Sequence, residues 1–274
     1  MLPVRTFFLI LSLLCCTALH AKEDWQEGTP YVEEKSLEHQ ESSKIFTYGA
    51  EDLFCSRYVW RGINYSRGAV MQPSGWLAAY DFNFNIWTNY VLNNEAYQGN
   101  FDEIDYTLTY TKTIKNLSLS PAIAIYAYPH TGTPVYAEFL LSASYPVSIV
   151  KVYTNQAVSI KGAGGAYYGE FGVIYEKNIY QNLSLSLLLG FGIASSKFND
   201  YNIVDAAGIG WDHTAIDLVT FNVGVKYYPV DHFYLRPHIT YSSFVQGSLR
   251  DFASNSGHFA DNLFTGIAVG FDVN

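Results

Sequence analysis

From Ile45 onward the chain alternates. In FNFNIWTNYVL, residues Phe82, Phe84, Ile86, Tyr90 and Leu92 share one parity, against Asn83, Asn85, Trp87 and Asn89 on the other. DEIDYTLTYT sets Ile104, Tyr106, Leu108 and Tyr110 against Glu103, Asp105, Thr107, Thr109 and Thr111, and VTFNVGVKYYP sets Val219, Phe221, Val223, Val225 and Tyr227 against Thr220, Asn222, Gly224, Lys226 and Tyr228. Successive side chains of an extended strand point to opposite faces, so a sustained period of two reads as strands with one apolar and one polar face. A membrane-spanning helix needs about 18 consecutive apolar residues. Past the N-terminal region the best apolar run is Leu187–Ala194. If this chain enters a membrane, it does so with strands.

Twelve strand segments can be drawn, at about 46–61, 70–81, 82–92, 102–114, 116–128, 134–145, 147–156, 165–176, 182–195, 215–229, 231–244 and 260–273. Their connections alternate in length. Tight ones fall at Asp81-Phe82, Ile114-Lys115-Asn116, Pro146, Lys177 to Gln181 and Pro229-Val230-Asp231, and long ones at 62–69, 93–101, 129–133, 157–164, 196–214 and 245–259. Short turns at one end and long loops at the other are the pattern of an outer-membrane barrel. The expected fold is all-β: a closed antiparallel up-and-down transmembrane β-barrel of 12 strands. A soluble barrel or sandwich would produce the same alternation with the apolar face inward. That many large apolar faces would overfill such an interior, and no helices are available to cover them outside. On the membrane reading Tyr48, Phe54, Tyr58 and Trp60 face lipid or its interface, whereas Glu51, Arg57 and Arg61 face the lumen.

The composition agrees: of 274 residues 17% are aromatic and only 15% charged, too aromatic and too lightly charged for an average soluble domain. The formal net charge of −9 argues against a nucleic-acid partner, which would call for a basic patch. Residues 1–21 carry Arg5, an apolar run from Phe7 to Cys16 and then small residues, the layout of a secretory signal peptide cleaved after Ala18 or Ala21. Residues 22–44 are polar and acidic without sustained period and read as a flexible leader; residues 45–274 form the barrel. Cys55 is then the one cysteine left, so no intrachain disulfide forms.

From Ile45 to its end the chain resembles the TorF family of porins, exported bacterial β-barrels. The resemblance rests on SRYVWRGINYS followed by VMQPS, on EIDYTLTYT leading to LSPAIAIYAYP, on GAYYGEFGVIYEK, and on the closing NLFTGIAVGFDVN. Of these, the Tyr58-Val59-Trp60-Arg61-Gly62 segment is the distinctive one. It implies a bacterial outer-membrane location and a transport role, and implies a barrel more firmly than it implies a solute. One departure stands out: barrels of this kind commonly end on an aromatic residue, whereas here Asp272, Val273 and Asn274 follow Phe271.

With apolar faces toward lipid, the lumen charges fall into two groups. Arg57, Arg61, Lys226 and Arg236 form a basic wall around the closing seam, and Asp105, Glu138 and Glu170 form an acidic wall opposite. Charged walls set a transverse field that selects ions and orients dipolar solutes. The expected activity is passive or weakly selective diffusion of ions or small hydrophilic solutes, with outer-membrane lipids as the surrounding partner. The alternative is that the same charges pair internally and plug the lumen, so that the barrel acts through its long loops. A barrel hydrolase would need a Ser or Thr nucleophile beside a histidine; His232 and His238 lie near Thr240 and Ser242 by strand periodicity alone, so no enzyme activity is expected. At strand rise the two histidines are roughly 20 Å apart, too far to share a metal ion, and no cofactor is implied. The loop 196–214, with Asp200, Asp205, Asp212 and His213, is expected to be solvated; folding into the pore, a surface partner or a divalent cation are its other readings.

Overall fold

The computed structural model describes residues 46–93 and 96–273. The expected signal peptide and acidic leader lie outside the described residues. Fifteen strands run in chain order: β1 Phe46–Cys55, β2 Tyr58–Trp60, β3 Ile63–Ser66, β4 Val70–Ala79, β5 Phe82–Val91, β6 Phe101–Tyr110, β7 Lys112–Ile114, β8 Leu117–Ala127, β9 Tyr136–Val147, β10 Val150–Lys161, β11 Tyr167–Tyr180, β12 Leu183–Ala194, β13 Ala215–Val230, β14 Phe233–Phe244 and β15 Asp261–Val273. Strands β6 and β7 are one strand interrupted at Thr111, whose N–H donates to the Asp81 carbonyl at 2.8 Å. The ring runs β1, β4, β5, β6 and then β8 through β15, every neighbour antiparallel, closed by β6 pairing with β8 and β15 with β1. It is a closed barrel of 12 strands.

Two faces decide between lipid and core. Phe84, Ile86, Leu108, Ile123, Ile125, Phe139, Phe171, Phe221, Ile239 and Ile267 are exposed on the outer surface. Their strand neighbours Asn83, Asn85, Thr107, Thr109, Glu138 and Asn222 are buried inside. Apolar outside and polar inside is the inverse of a soluble barrel and the arrangement a bilayer demands. Near the turn end the aromatics Phe46, Tyr48, Phe82, Tyr145, Tyr227, Phe233 and Phe271 are exposed, as an interfacial belt would be. Asp272 points inward and meets Lys226 at 3.4 Å and the Tyr228 hydroxyl at 2.7 Å. The departure after Phe271 is thus a lumen residue, with the aromatic before it still facing out. Because Ile123 sits mid-strand on the outer face, Ile123→Arg should cost about 2–4 kcal/mol of folding stability in lipid. Urea titration of the protein in vesicles reads this, and an unchanged midpoint would rule out lipid contact there.

Several boundaries differ from expectation. The tight turn expected at Pro146 lies at Ser148, which takes φ 58. A proline ring fixed near −65° cannot supply that angle, so the strand continues through Pro146 to Val147. Strand β10 runs on to Lys161 and shortens the loop expected at 157–164. Strand β11 runs to Tyr180 and moves the next turn toward Asn182.

The largest correction is at the first strand. β1 ends at Cys55, and Tyr58 and Trp60, expected to face lipid, are each only 6% exposed. Strands β2 and β3 form a separate hairpin. Arg61 (φ 49) and Gly62 (φ 81) form its tip, both in the left-handed region that a two-residue type I′ turn requires. The sequence signal was a Val-Trp and Ile-Asn pair flanking Arg-Gly, which reads as easily as a continuous strand.

Candidate functional site

The hairpin folds into the loop end of the barrel. Its tip joins strands that are six apart in the ring of 12, and so opposite one another. On one side the Arg61 guanidinium donates two hydrogen bonds, from Nη1 and Nη2, to the Glu138 carboxylate of β9, each at 2.8 Å. On the other, the Asn262 side-chain amide of β15 donates to the Gly62 carbonyl at 3.0 Å, and the Asn64 amide donates to the Asn262 oxygen at 3.2 Å. The tip therefore spans the mouth.

Glu138 is fully engaged, since the Tyr126 and Tyr136 hydroxyls also donate to it at 2.9 and 3.2 Å. The guanidinium lies over Trp60 at 4.2 Å and Tyr168 at 4.7 Å, with Phe198 at 5.4 Å. Side-chain exposure is 4% for Arg61 and 1% for Glu138, so the pair is essentially out of water. Burial works against the charged guanidinium, but Glu138 beside it more than offsets this, and the pKa of Arg61 rises above its ordinary range. A bidentate, multiply hydrogen-bonded pair of this kind satisfies the geometry that burial requires.

Two loop helices lie at the same end of the barrel. In the first, Ser196–Asn202, the Ser195 side chain caps the N-terminus by accepting from the Phe198 N–H. Phe198 is thereby held in the aromatic cluster around Arg61, against Trp60 and Tyr168. The loop 196–214 thus folds over the mouth. The second helix, Gly247–Asn255, buries Leu249 and Ala253. It is tied to β15 through Arg250, which donates to Asp261 at 2.7 Å.

The sequence-derived lumen residues do not stand as two bare walls. Arg61, expected on a strand facing Glu138 across open lumen, is bonded to it, because the residue rides on an infolded hairpin. Arg236 pairs with Glu51, which also accepts from the Tyr234 hydroxyl at 2.8 Å. Lys226 pairs with Asp272 and lies 4.0 Å from the Tyr234 ring. Arg57 contacts Asn262 at 3.5 Å and the Phe259 ring at 5.3 Å. Glu170 accepts from the Tyr153 hydroxyl at 2.8 Å. Asp105 is 2% exposed, and its Oδ1 has no hydrogen-bond partner among the described residues. Sequence periodicity found the inward parity but missed Glu51 and Asp272 as partners, because pairing across strands depends on register.

His238 is buried with Nε2 4.0 Å from the Cys55 sulfur, and His232 lies in a turn with Nδ1 2.8 Å from the Asp272 carbonyl. Among the described residues no group of three His, Cys, Asp or Glu side chains is placed to hold a metal ion.

No family model matches the chain, and no curated protein matches it. Several solved structures are similar to it over most of their length. The KdgM porin in complex with disordered oligogalacturonate is 9% identical, with a TM-score of 0.45 over 83% of this chain and 98% of that one. The NanC porin is 9% identical, with a TM-score of 0.48 over 82% and 98%. An outer membrane channel from Pseudomonas putida F1 is 11% identical, with a TM-score of 0.46 over 88% and 100%. The likeness is one of fold. No residue role is carried across from these proteins.

Proposed function

We propose that the chain is a porin-like channel of the bacterial outer membrane, exported by its N-terminal signal peptide and followed by the acidic leader, and closed at its loop end in this conformation. It passes ions or small hydrophilic solutes when the hairpin withdraws. The observation that carries the reading is a hairpin bonded to opposite walls at its tip, above an interior lined with polar groups. Within that interior Asn83 and Asn85 oxygens and the Thr107, Thr109 and Ser242 hydroxyls have no hydrogen-bond partner among the described residues. These atoms are buried beyond the reach of water in this conformation, so the polar lining serves water and solute only once the hairpin withdraws. Arg57, Arg236 and Lys226 on one side, and Asp105, Glu138 and Glu170 on the other, are the pore-lining charges of this reading. Its likeness to TorF-family porins in the Tyr-Val-Trp-Arg-Gly segment falls on the residues that build the closing hairpin.

A second reading has support from the same contacts. Ion pairs Arg61–Glu138, Arg236–Glu51 and Lys226–Asp272 occupy three of the four basic residues expected to line the lumen, which suits a plugged barrel acting through its loops. Planar-bilayer recording separates the two. The wild type should show rare, small steps; a variant with residues 56–69 replaced by a short Gly-Ser connection should conduct stably. Silence from the trimmed protein, shown to be folded by heat-modifiable gel mobility, would favour the plugged barrel.

A further inference from the structure

Three tyrosines from three separate connections converge on one cavity at the loop end. Tyr65 comes from the hairpin, Tyr97 from the β5–β6 connection and Tyr201 from the helix Ser196–Asn202. Each keeps between 41% and 49% of its surface exposed. The cavity they line holds about 460 Å³, within the range of small-molecule sites, roughly 300–1,000 Å³. Rings of an interfacial belt stand on the outer face of a barrel, whereas Tyr65 and Tyr201 pack inward on buried rings. Tyr65 is centred 5.5 Å from Tyr58 and 6.0 Å from Trp60, and Tyr201 stacks on Tyr136 at 5.8 Å. Tyr97 sits at φ 69, in the left-handed region where glycine is the undemanding residue. The ring is thus placed at the cavity against the preference of its own backbone.

Between the rings, Asp102, Thr133 and Asn202 bring carboxylate, hydroxyl and amide groups to the same walls. The two acidic residues are already engaged: Glu103 is buried and hydrogen-bonded to Tyr58 and Tyr128, and Asp102 accepts from the Asn89 amide at 2.7 Å. A cation is therefore not called for. None of the described lining residues is Lys, Arg or His, so an anion would find no counter-charge. The rings also do not form a slot for a flat ligand, because the Tyr65 plane is inclined by 31° to Tyr58 and by 63° to Trp60. They form a corner of several ring faces with polar groups at its edges.

From this we infer that the cavity binds a neutral pyranose sugar, alone or as the end of a short saccharide, with its C–H faces against the tyrosine rings and its hydroxyls on the polar groups between them. A pyranose is apolar on its ring faces, where C–H bonds polarised by neighbouring oxygens project, and polar around its rim. Aromatic faces carry the negative end of the ring quadrupole and so attract such C–H groups, while hydroxyl, amide and carboxylate side chains exchange hydrogen bonds with the rim. Mostly apolar walls with a few placed polar groups are the general design of a small-molecule site. The inference goes beyond the channel reading and does not rest on it, since binding at the loop end is measured whether or not the barrel conducts.

The test is titration calorimetry of the full mature protein, folded in a detergent without a sugar headgroup, with glucose, galactose, maltose and cellobiose. Sorbitol, which has the hydroxyls but no ring, and glucuronate, which adds a negative charge, are the controls. At least one of the four sugars should bind saturably and about tenfold or more tighter than either control. Tyr97→Gly removes a ring while giving the backbone the residue its φ favours, so the fold should be kept and sugar binding weakened about three- to tenfold. Tyr201→Ser, at an exposed position, should weaken it by a similar factor. Heat-modifiable mobility confirms folding in each case. Binding of none of the four sugars by the folded protein, control binding as tight as theirs, or indifference of sugar binding to both variants would each overturn the proposal.

Discussion

On the proposed channel reading, Glu138→Gln is expected to raise the open fraction. The substitution keeps the size and one hydrogen-bond acceptor but leaves the Arg61 guanidinium charged and uncompensated in a site where it is 4% exposed. Removing one partner of a buried ion pair costs about 3–5 kcal/mol. Here that cost falls on the docked hairpin, because its tip carries Arg61. At about 1.4 kcal/mol per tenfold, even the lower figure shifts the docked-to-withdrawn equilibrium by about two orders of magnitude. Single-channel records should show the open fraction rising accordingly. Arg61→Met with Glu138→Leu, made together with Tyr126→Phe and Tyr136→Phe so that no buried hydroxyl loses its acceptor, removes both charges and should return the hairpin toward its docked state, since an apolar pair of similar volume is often neutral or stabilising. If Glu138→Gln leaves the open fraction at the wild-type level, the pair does not hold the closure.

Gly62→Val should open it by a different route. At φ 81 a β-branched residue is strained, and a Cβ at this position would stand 2.5 Å from Leu218 Cδ1 and 3.1 Å from a Phe244 ring carbon. Leu218 and Phe244 are themselves buried and cannot yield freely. Backbone strain of about 1–3 kcal/mol adds to an overpacking cost of about 1–3 kcal/mol, and withdrawing the tip relieves both. Conductance should rise as in the trimmed protein. Ion preference, read from the reversal potential under a salt gradient, should lie further toward anions than that of the trimmed protein, because Gly62→Val keeps Arg57, Arg61 and Arg67, which trimming removes. A folded Gly62→Val protein that stays closed would show that the hairpin docks without its tip.

The two substitutions test contacts that differ in how far they could be read from sequence. Which side chains face lipid was legible, because period-two alternation follows from strand geometry alone and survives errors in strand ends. Phe84, Leu108 and Phe221 face out, and Asn85, Thr107 and Asn222 face in, as the parity dictates. Antiparallel connectivity was legible from the alternation of tight and long connections. Turn positions were legible to within a few residues, and failed where a left-handed residue such as Ser148 marked the turn while Pro146 drew the eye.

The closing hairpin was not legible in the same way. Tyr-Val-Trp-Arg-Gly alternates as well as any membrane strand, so local pattern could not tell a strand that crosses the bilayer from one that turns back into the lumen. The deciding contacts are long-range. Arg61 meets Glu138 77 residues away, and Gly62 meets Asn262 200 residues away. The sequence by itself determined a closed two-faced barrel, since that follows from local backbone geometry and the need to bury or expose each face. Only the tertiary structure decided that a hairpin spans its loop end and that an aromatic, acidic cavity lies beside that hairpin, because both depend on register and on side chains brought together from opposite sides of the ring.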